Sequence, residues 1–164
     1  MARRARATIS GVAFALIGGS AGDALTATPL RSRYRYGTFV YGGPGADTLR
    51  GTQAPDLLVG NDGDDDIQGL GGDDALYGDS NELYLDHDDV PLLRIHPFAA
   101  GGNDVLVGGP GSDWLDADQG DDVFQLRDEE RDQQPSCGTG ADLVYIDQVD
   151  EAVLDSDCEK VKRR

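Results

Sequence analysis

The chain has 164 residues and a formal net charge of −17, and its acids are 26 Asp against 5 Glu. That length sets one domain as the expectation, and so acidic a surface excludes nucleic acid and anionic membranes as partners. Gly, at 23 residues, is about twice as frequent as in ordinary domains, and together with Asp it marks a chain of turns, since a solubilised helical surface would favour Glu.

In chain order, residues 1–24 read as a signal peptide. Arg3, Arg4 and Arg6 form a basic start, residues 9–17 a short apolar stretch, and Gly18, Gly19, Ser20, Ala21 and Gly22 a small-residue tail. The apolar stretch is too short to span a bilayer, so the expectation is a secreted, extracellular chain without membrane insertion. Residues 25–41 read as a linker or N-terminal cap strand, because Arg31, Arg33 and Arg35 alternate with Ser32, Tyr34 and Tyr36.

From residue 42 a nine-residue frame takes over. It runs GGPGADTLR (42–50), GTQAPDLLV (51–59), GNDGDDDIQ (60–68) and GLGGDDALY (69–77). An insert at 78–98 interrupts it, and it resumes as AAGGNDVLV (99–107), GGPGSDWLD (108–116) and ADQGDDVFQ (117–125). A polar loop at 126–136 precedes a last copy, CGTGADLVY (137–145), and residues 146–164 read as a C-terminal cap. A period of nine fits neither a helix nor a long alternating strand. It fits a coil of short turns and very short strands stacked along one axis. Disorder is the competing reading of so acidic a chain, but disorder has no reason to keep an apolar residue at every ninth position.

The frame also carries chemistry. Its sixth position is Asp in all eight copies: Asp47, Asp56, Asp65, Asp74, Asp104, Asp113, Asp122 and Asp142. Its eighth is apolar throughout: Leu49, Leu58, Ile67, Leu76, Leu106, Leu115, Phe124 and Val144. A carboxylate fixed in a Gly-rich turn and repeated along a stack makes a ladder of oxygen ligands, which suits hard cations, Ca²⁺ above all. The run Asp62-x-Asp64-x-Asp66 imitates an EF-hand loop, but Ile67 stands where that loop needs Gly. His87 and His96 read as surface residues of the insert, and Trp114, at a seventh position, as outward-facing. Cys137 and Cys158 read as a disulfide in an exported chain, closing a loop of about 20 residues, or else as two free thiols. No P-loop, HExxH motif or nucleophile–base pair is present in the sequence.

The frames GGPGADTLR and GGPGSDWLD resemble the nonapeptide G-G-x-G-x-D-x-U-x of the RTX, or haemolysin-type, calcium-binding repeats. The tail CGTGADLVYIDQVDEAVLDSDCEKV resembles the ending of small exported bacterial proteins of this type, with their paired cysteines. The resemblance implies an all-β fold, a parallel β-roll with about 18 residues per coil, spanning 42–145. Each turn would wrap Ca²⁺ and each short strand would follow it. Alternate copies would stack, Asp47, Asp65, Asp104 and Asp122 on one side and Asp56, Asp74, Asp113 and Asp142 on the other. Backbone carbonyls around Gly45, Gly63, Gly72, Gly102, Gly111, Gly120 and Gly140 would join the ligand set, for about six ions at most.

The expectation is therefore a secreted calcium-binding module that folds on binding the ion and serves a structural or adhesive role. Its partner would be cell-wall material, a polysaccharide or another protein, met by the outward strand positions or the insert. It is not expected to be an enzyme. The alternatives are a secreted hydrolase that uses the roll as a scaffold, and an ancillary part of a toxin or protease system.

Overall fold

A computed structural model describes residues 6–10, 13–28, 38–79, 82–85, 91–94, 101–150, 154 and 157–163. The alternating Arg31–Arg35 segment and both His residues lie outside these. The chain is all-β. Its strands are β1 (Arg6–Ser10), β2 (Ala13–Ile17), β3 (Ala24–Thr26), β4 (Thr38–Tyr41), β5 (Thr48–Arg50), β6 (Asp56–Val59), β7 (Asp66–Gln68) and β8 (Ala75–Tyr77). Then come β9 (Glu82–Leu85), β10 (Pro91–Arg94), β11 (Val105–Val107), β12 (Trp114–Asp116), β13 (Val123–Leu126), β14 (Leu143–Ile146) and β15 (Lys160–Arg163).

Successive nonapeptides feed opposite sheets. One sheet runs β1-β2-β4-β6-β8-β12 and the other β15-β14-β13-β11-β7-β5-β3. Pairing within both is parallel, except for the β1–β2 hairpin. Strands so short leave room for one or two inward side chains each, and the frame places its eighth residue there. Leu49, Leu58, Ile67, Leu76, Leu106, Leu115, Phe124 and Val144 are all fully buried in one column between the sheets. This is the parallel β-roll that the nine-residue period predicts.

The outer face of the first sheet is less bare than the alternation predicts. Phe39, Leu57 and Ala75 lie in register at the seventh position, and Tyr41, Val59 and Tyr77 at the ninth. Phe39, Leu57, Val59 and Ala75 are buried there as a second cluster, since in-register apolar neighbours pack along a sheet. Trp114 continues the seventh-position row and is 38% exposed.

The 78–98 insert sits between coils without breaking them. β7 pairs with β11 and β8 with β12 across it, and within it β9 and β10 form an antiparallel pair. The stretch 126–136 behaves differently from a loop that leaves the coil. Leu126 is fully buried, Asp132 is 3% exposed, and the Gln133 and Ser136 N–H groups donate to the Asp113 and Leu115 carbonyls at 2.9 Å. It is a degenerate coil laid beside β12. Pro135 cannot donate to the ladder, which keeps that rung from forming a regular strand. β14 therefore pairs with β13, not with the sheet of β12.

At the C-terminal end β15 pairs with β14, and Cys137 and Cys158 are disulfide-bonded. The bond ties the tail to the start of the last nonapeptide. At the other end, residues read from sequence as an export segment run as β1 and β2, β2 pairs with β4, and β3, at the boundary with the segment read as a cap strand, pairs with β5.

Coils this close demand glycine where backbone meets backbone. Gly120 has φ of 145°, and a Cβ placed on it would run into the Gly102 carbonyl oxygen of the neighbouring coil. Gly120→Ala should therefore destabilise the roll by more than about 1 kcal/mol, read as a lowered urea midpoint in saturating calcium. An unchanged midpoint would show that the coils are not so closely apposed.

Candidate metal centre

The Asp side chains at the sixth position are buried although they are charged. Asp47, Asp56, Asp65, Asp74, Asp104, Asp113, Asp122 and Asp142 are each no more than 2% exposed. The turn brings each one under the preceding coil, where its two oxygens divide their work. Oδ1 accepts the backbone N–H of the Asp one coil earlier. Thus the Asp47 N–H donates to Asp65 Oδ1, Asp65 to Asp104, and Asp104 to Asp122, all at 2.8 Å. Except in Asp56, Oδ2 accepts nothing. Among the described residues, Asp47, Asp65, Asp74, Asp104, Asp113, Asp122, Asp132, Asp142 and Asp150 each hold a buried Oδ2 without a hydrogen-bond partner.

These links define two stacks. The first is Asp23, Asp47, Asp65, Asp104, Asp122 and Asp142, ending on Glu159, whose carboxylate accepts the Asp142 N–H at 3.0 Å. The second is Asp56, Asp74, Asp113, Asp132 and Asp150. The sequence reading thus needs one correction: Asp142 stacks on Asp122 and not on Asp113. The 20-residue step from Asp122 to Asp142 is one coil with two extra residues, and Asp132 takes the place beside Asp113. The insert does not distort the Asp65–Asp104 link, which matches its neighbours in length.

The frame whose turn departs most, 51–59, keeps its place but turns its carboxylate. Asp56 Oδ2 accepts both the N–H and the hydroxyl of Thr52, at 2.6 and 2.8 Å, so its Oδ1 is the unpartnered atom. Ala54 and Pro55 do not prevent the Asp56 N–H from reaching Asp74 Oδ1 at 2.8 Å.

In several turns the first-position Gly lets the backbone approach the free oxygen closely. A Cβ on Gly42 would meet both Asp47 Oδ2 and the Gly60 carbonyl oxygen of the next coil. Gly60 stands likewise between Asp65 Oδ2 and the Gly78 carbonyl, and Gly69 between Asp74 Oδ2 and the Gly108 carbonyl. The fourth-position glycines stack as well, with the Gly45 carbonyl against Gly63, Gly63 against Gly102, Gly102 against Gly120, Gly120 against Gly140, and Gly72 against Gly111. Carboxylate and carbonyl oxygens thus line both rows of turns. This is the donor set of a hard cation.

The electrostatics agree. Burial raises the carboxyl of Asp104 to about 9 and those of Asp65 and Asp74 to about 8, with like charges on stack neighbours adding to it and backbone hydrogen bonds opposing it. Burial also raises Asp122, to about 6. A carboxylate this costly to charge needs a positive partner, and the oxygens of this site fit a divalent ion.

A repeat protein whose turns present stacked, oxygen-only cation ligands is thereby defined. Residues 41–76 and 98–125 match the family model of the RTX calcium-binding nonapeptide repeat, in four copies, so the chain carries RTX-type calcium-binding repeats. No curated protein and no solved structure matches it.

Several ladder members escaped the sequence reading. Asp23 closes the N-terminal end of the first stack and lies in GGSAGDALT (18–26), which has the Gly pair, the sixth-position Asp and the eighth-position Leu of a full frame. Its signal was hidden by the apolar stretch before it and by a 24-residue step to Asp47. Asp132 and Asp150 stand 18 residues apart, one full coil, but their turns lack the glycines that announce the others. Asp79, also buried, accepts the Gly102 N–H.

Proposed function

We propose that this protein is an exported calcium-binding β-roll whose turns close around Ca²⁺ and whose folding is completed by the ion. The observation that supports this most is the row of buried, unpartnered Oδ2 atoms, repeated once per turn along both stacks. Asp47, Asp56, Asp65, Asp74, Asp104, Asp113, Asp122 and Asp142 would supply carboxylate oxygens. Carbonyls around Gly45, Gly63, Gly72, Gly102, Gly111, Gly120 and Gly140 would supply the rest. Bound calcium provides positive charge that the chain itself lacks. The chain's own part is to hold each Oδ1 on a backbone N–H, which aims Oδ2, and to bury the pair from water.

Export is supported by the Arg3–Arg6 start with its apolar stretch, and by the Cys137–Cys158 bond, which suits an oxidising compartment. The role that follows is structural or adhesive. The outward strand positions around Trp114 and the 78–98 insert are the surfaces left for cell-wall material, a polysaccharide or a protein.

The test is a titration followed by circular dichroism, with magnesium as control. Calcium at millimolar levels should produce a β spectrum from the calcium-stripped chain, while magnesium, which wants a smaller octahedral site and keeps its waters, should not. Equal responses to the two ions would refute a calcium site.

A further inference from the structure

We propose that a leader peptidase cuts this chain between Ala15 and Leu16, so that residues 18–26 stay in the working protein as the first turn of the roll. The proposal rests on the export proposed above and goes beyond it by naming the bond that breaks. Water adds across the Ala15–Leu16 peptide bond, leaving a carboxylate on Ala15 and a new amino terminus on Leu16.

Residues 18–26 are joined to the next coil along their whole length. The Gly18 N–H donates to the Tyr41 carbonyl and the Thr48 N–H to the Asp23 carbonyl, both at 2.8 Å. The Asp23 N–H donates to Asp47 Oδ1 at 2.6 Å. The Gly19 carbonyl lies against Gly43, and the backbone of Ala21 and Gly22 against Gly45. Leu25, 1% exposed, pairs with Leu49 at the head of the core column. A cut after Ala24, where Gly22 and Ala24 would be the small residues, removes Gly18 and Asp23 with their bonds. Asp47, 2% exposed, is then left without the donor to its Oδ1, while its Oδ2 already has none. Leu25 becomes a charged chain end at the head of an apolar column, where charge is unfavourable.

A cut after Ala15 spares the turn. Ala13-Phe14-Ala15 has small residues in its first and third places, behind the basic start and the apolar residues that follow it, which is the pattern a leader peptidase reads. Leu16 and Ile17 keep their pairing with Val40 and Tyr41, and Leu16 keeps its packing on the core. What leaves is β1 and the first three residues of β2, and no bond between the 18–26 turn and the next coil goes with them.

The test expresses the full chain in a bacterial host with a general secretory pathway. Protein from the medium and from the cells is examined by intact mass and N-terminal sequencing. The chain in the medium should begin at Leu16. Ala15→Leu, which puts a large side chain at the cut, should accumulate as uncut precursor. Ala24→Leu, at an exposed position of β3, should be cut as wild type is. An exported chain that begins at any other residue overturns the proposal and leaves export standing. So does a block to cutting in Ala24→Leu, or normal cutting in Ala15→Leu. A full-length chain retained in the cells would refute the export reading and this cut together.

Discussion

Stripped of calcium at pH 7.5, the purified protein should lose its β spectrum and its cooperative melt, and returning calcium should restore both. The reason is the thinness of the core. Each nonapeptide buries one side chain at its eighth position, Leu49, Leu58 or Ile67 for example, against the entropy of fixing nine residues at roughly 1–2 kcal/mol each for the backbone alone. Ions must supply the difference. A site held at 100 times its dissociation constant adds about 2.7 kcal/mol, and a handful of such sites equals the whole stability of an ordinary domain, about 5–15 kcal/mol. Ligands from separate coils meet only in the folded roll, so binding and folding are expected to be one event. The measurement is a thermal melt by circular dichroism in excess chelator and again in millimolar calcium. A sharp transition that survives the chelator would show that the sheets hold without ions.

The calcium-stripped chain should regain structure as pH falls from about 9 toward 5. An ordinary surface Asp makes acid destabilising, because its folded pKa is depressed; here the sign reverses. The folded carboxyls of Asp104, Asp65, Asp74 and Asp132 sit at about 9, 8, 8 and 8, above the unfolded value of 3.8, chiefly because of burial. The folded state then binds more protons than the unfolded one, so its stability is greatest near and below pH 4 and is lost as pH rises through those values. Protons do in part what calcium does, removing charge from the buried row. Circular dichroism of the dialysed, metal-free protein between pH 8.5 and 5 checks this, and calcium affinity should fall over the same range as protons compete. A stripped chain that loses structure toward pH 5 would contradict the buried placement of these groups.

The fold and most of the ladder were legible in the sequence because both obey one short period. An eighth-position apolar residue and a sixth-position Asp mark every copy of the frame, and that rule singles out eight Asp residues of the ladder. What was hidden departs from the period, not from the physics. Asp132 and Asp150 keep the ladder geometry in turns without glycine, where Glu129 takes up the positive φ in their stead. Asp142 changed stacks because two added residues keep a strand in its sheet, whereas an odd half-coil would have moved it across. The outer cluster of Phe39, Leu57 and Val59 was hidden by a rule of alternation that speaks of direction and not of cover.

The junction at 79–101 tolerates cargo. Across it, Asp65–Asp104 at 2.8 Å and Asp74–Asp113 at 2.7 Å keep the spacing of uninterrupted neighbours. A lineage could exchange the passenger while the chassis stayed the same, and an engineer could graft a foreign peptide there without retuning a single ligand.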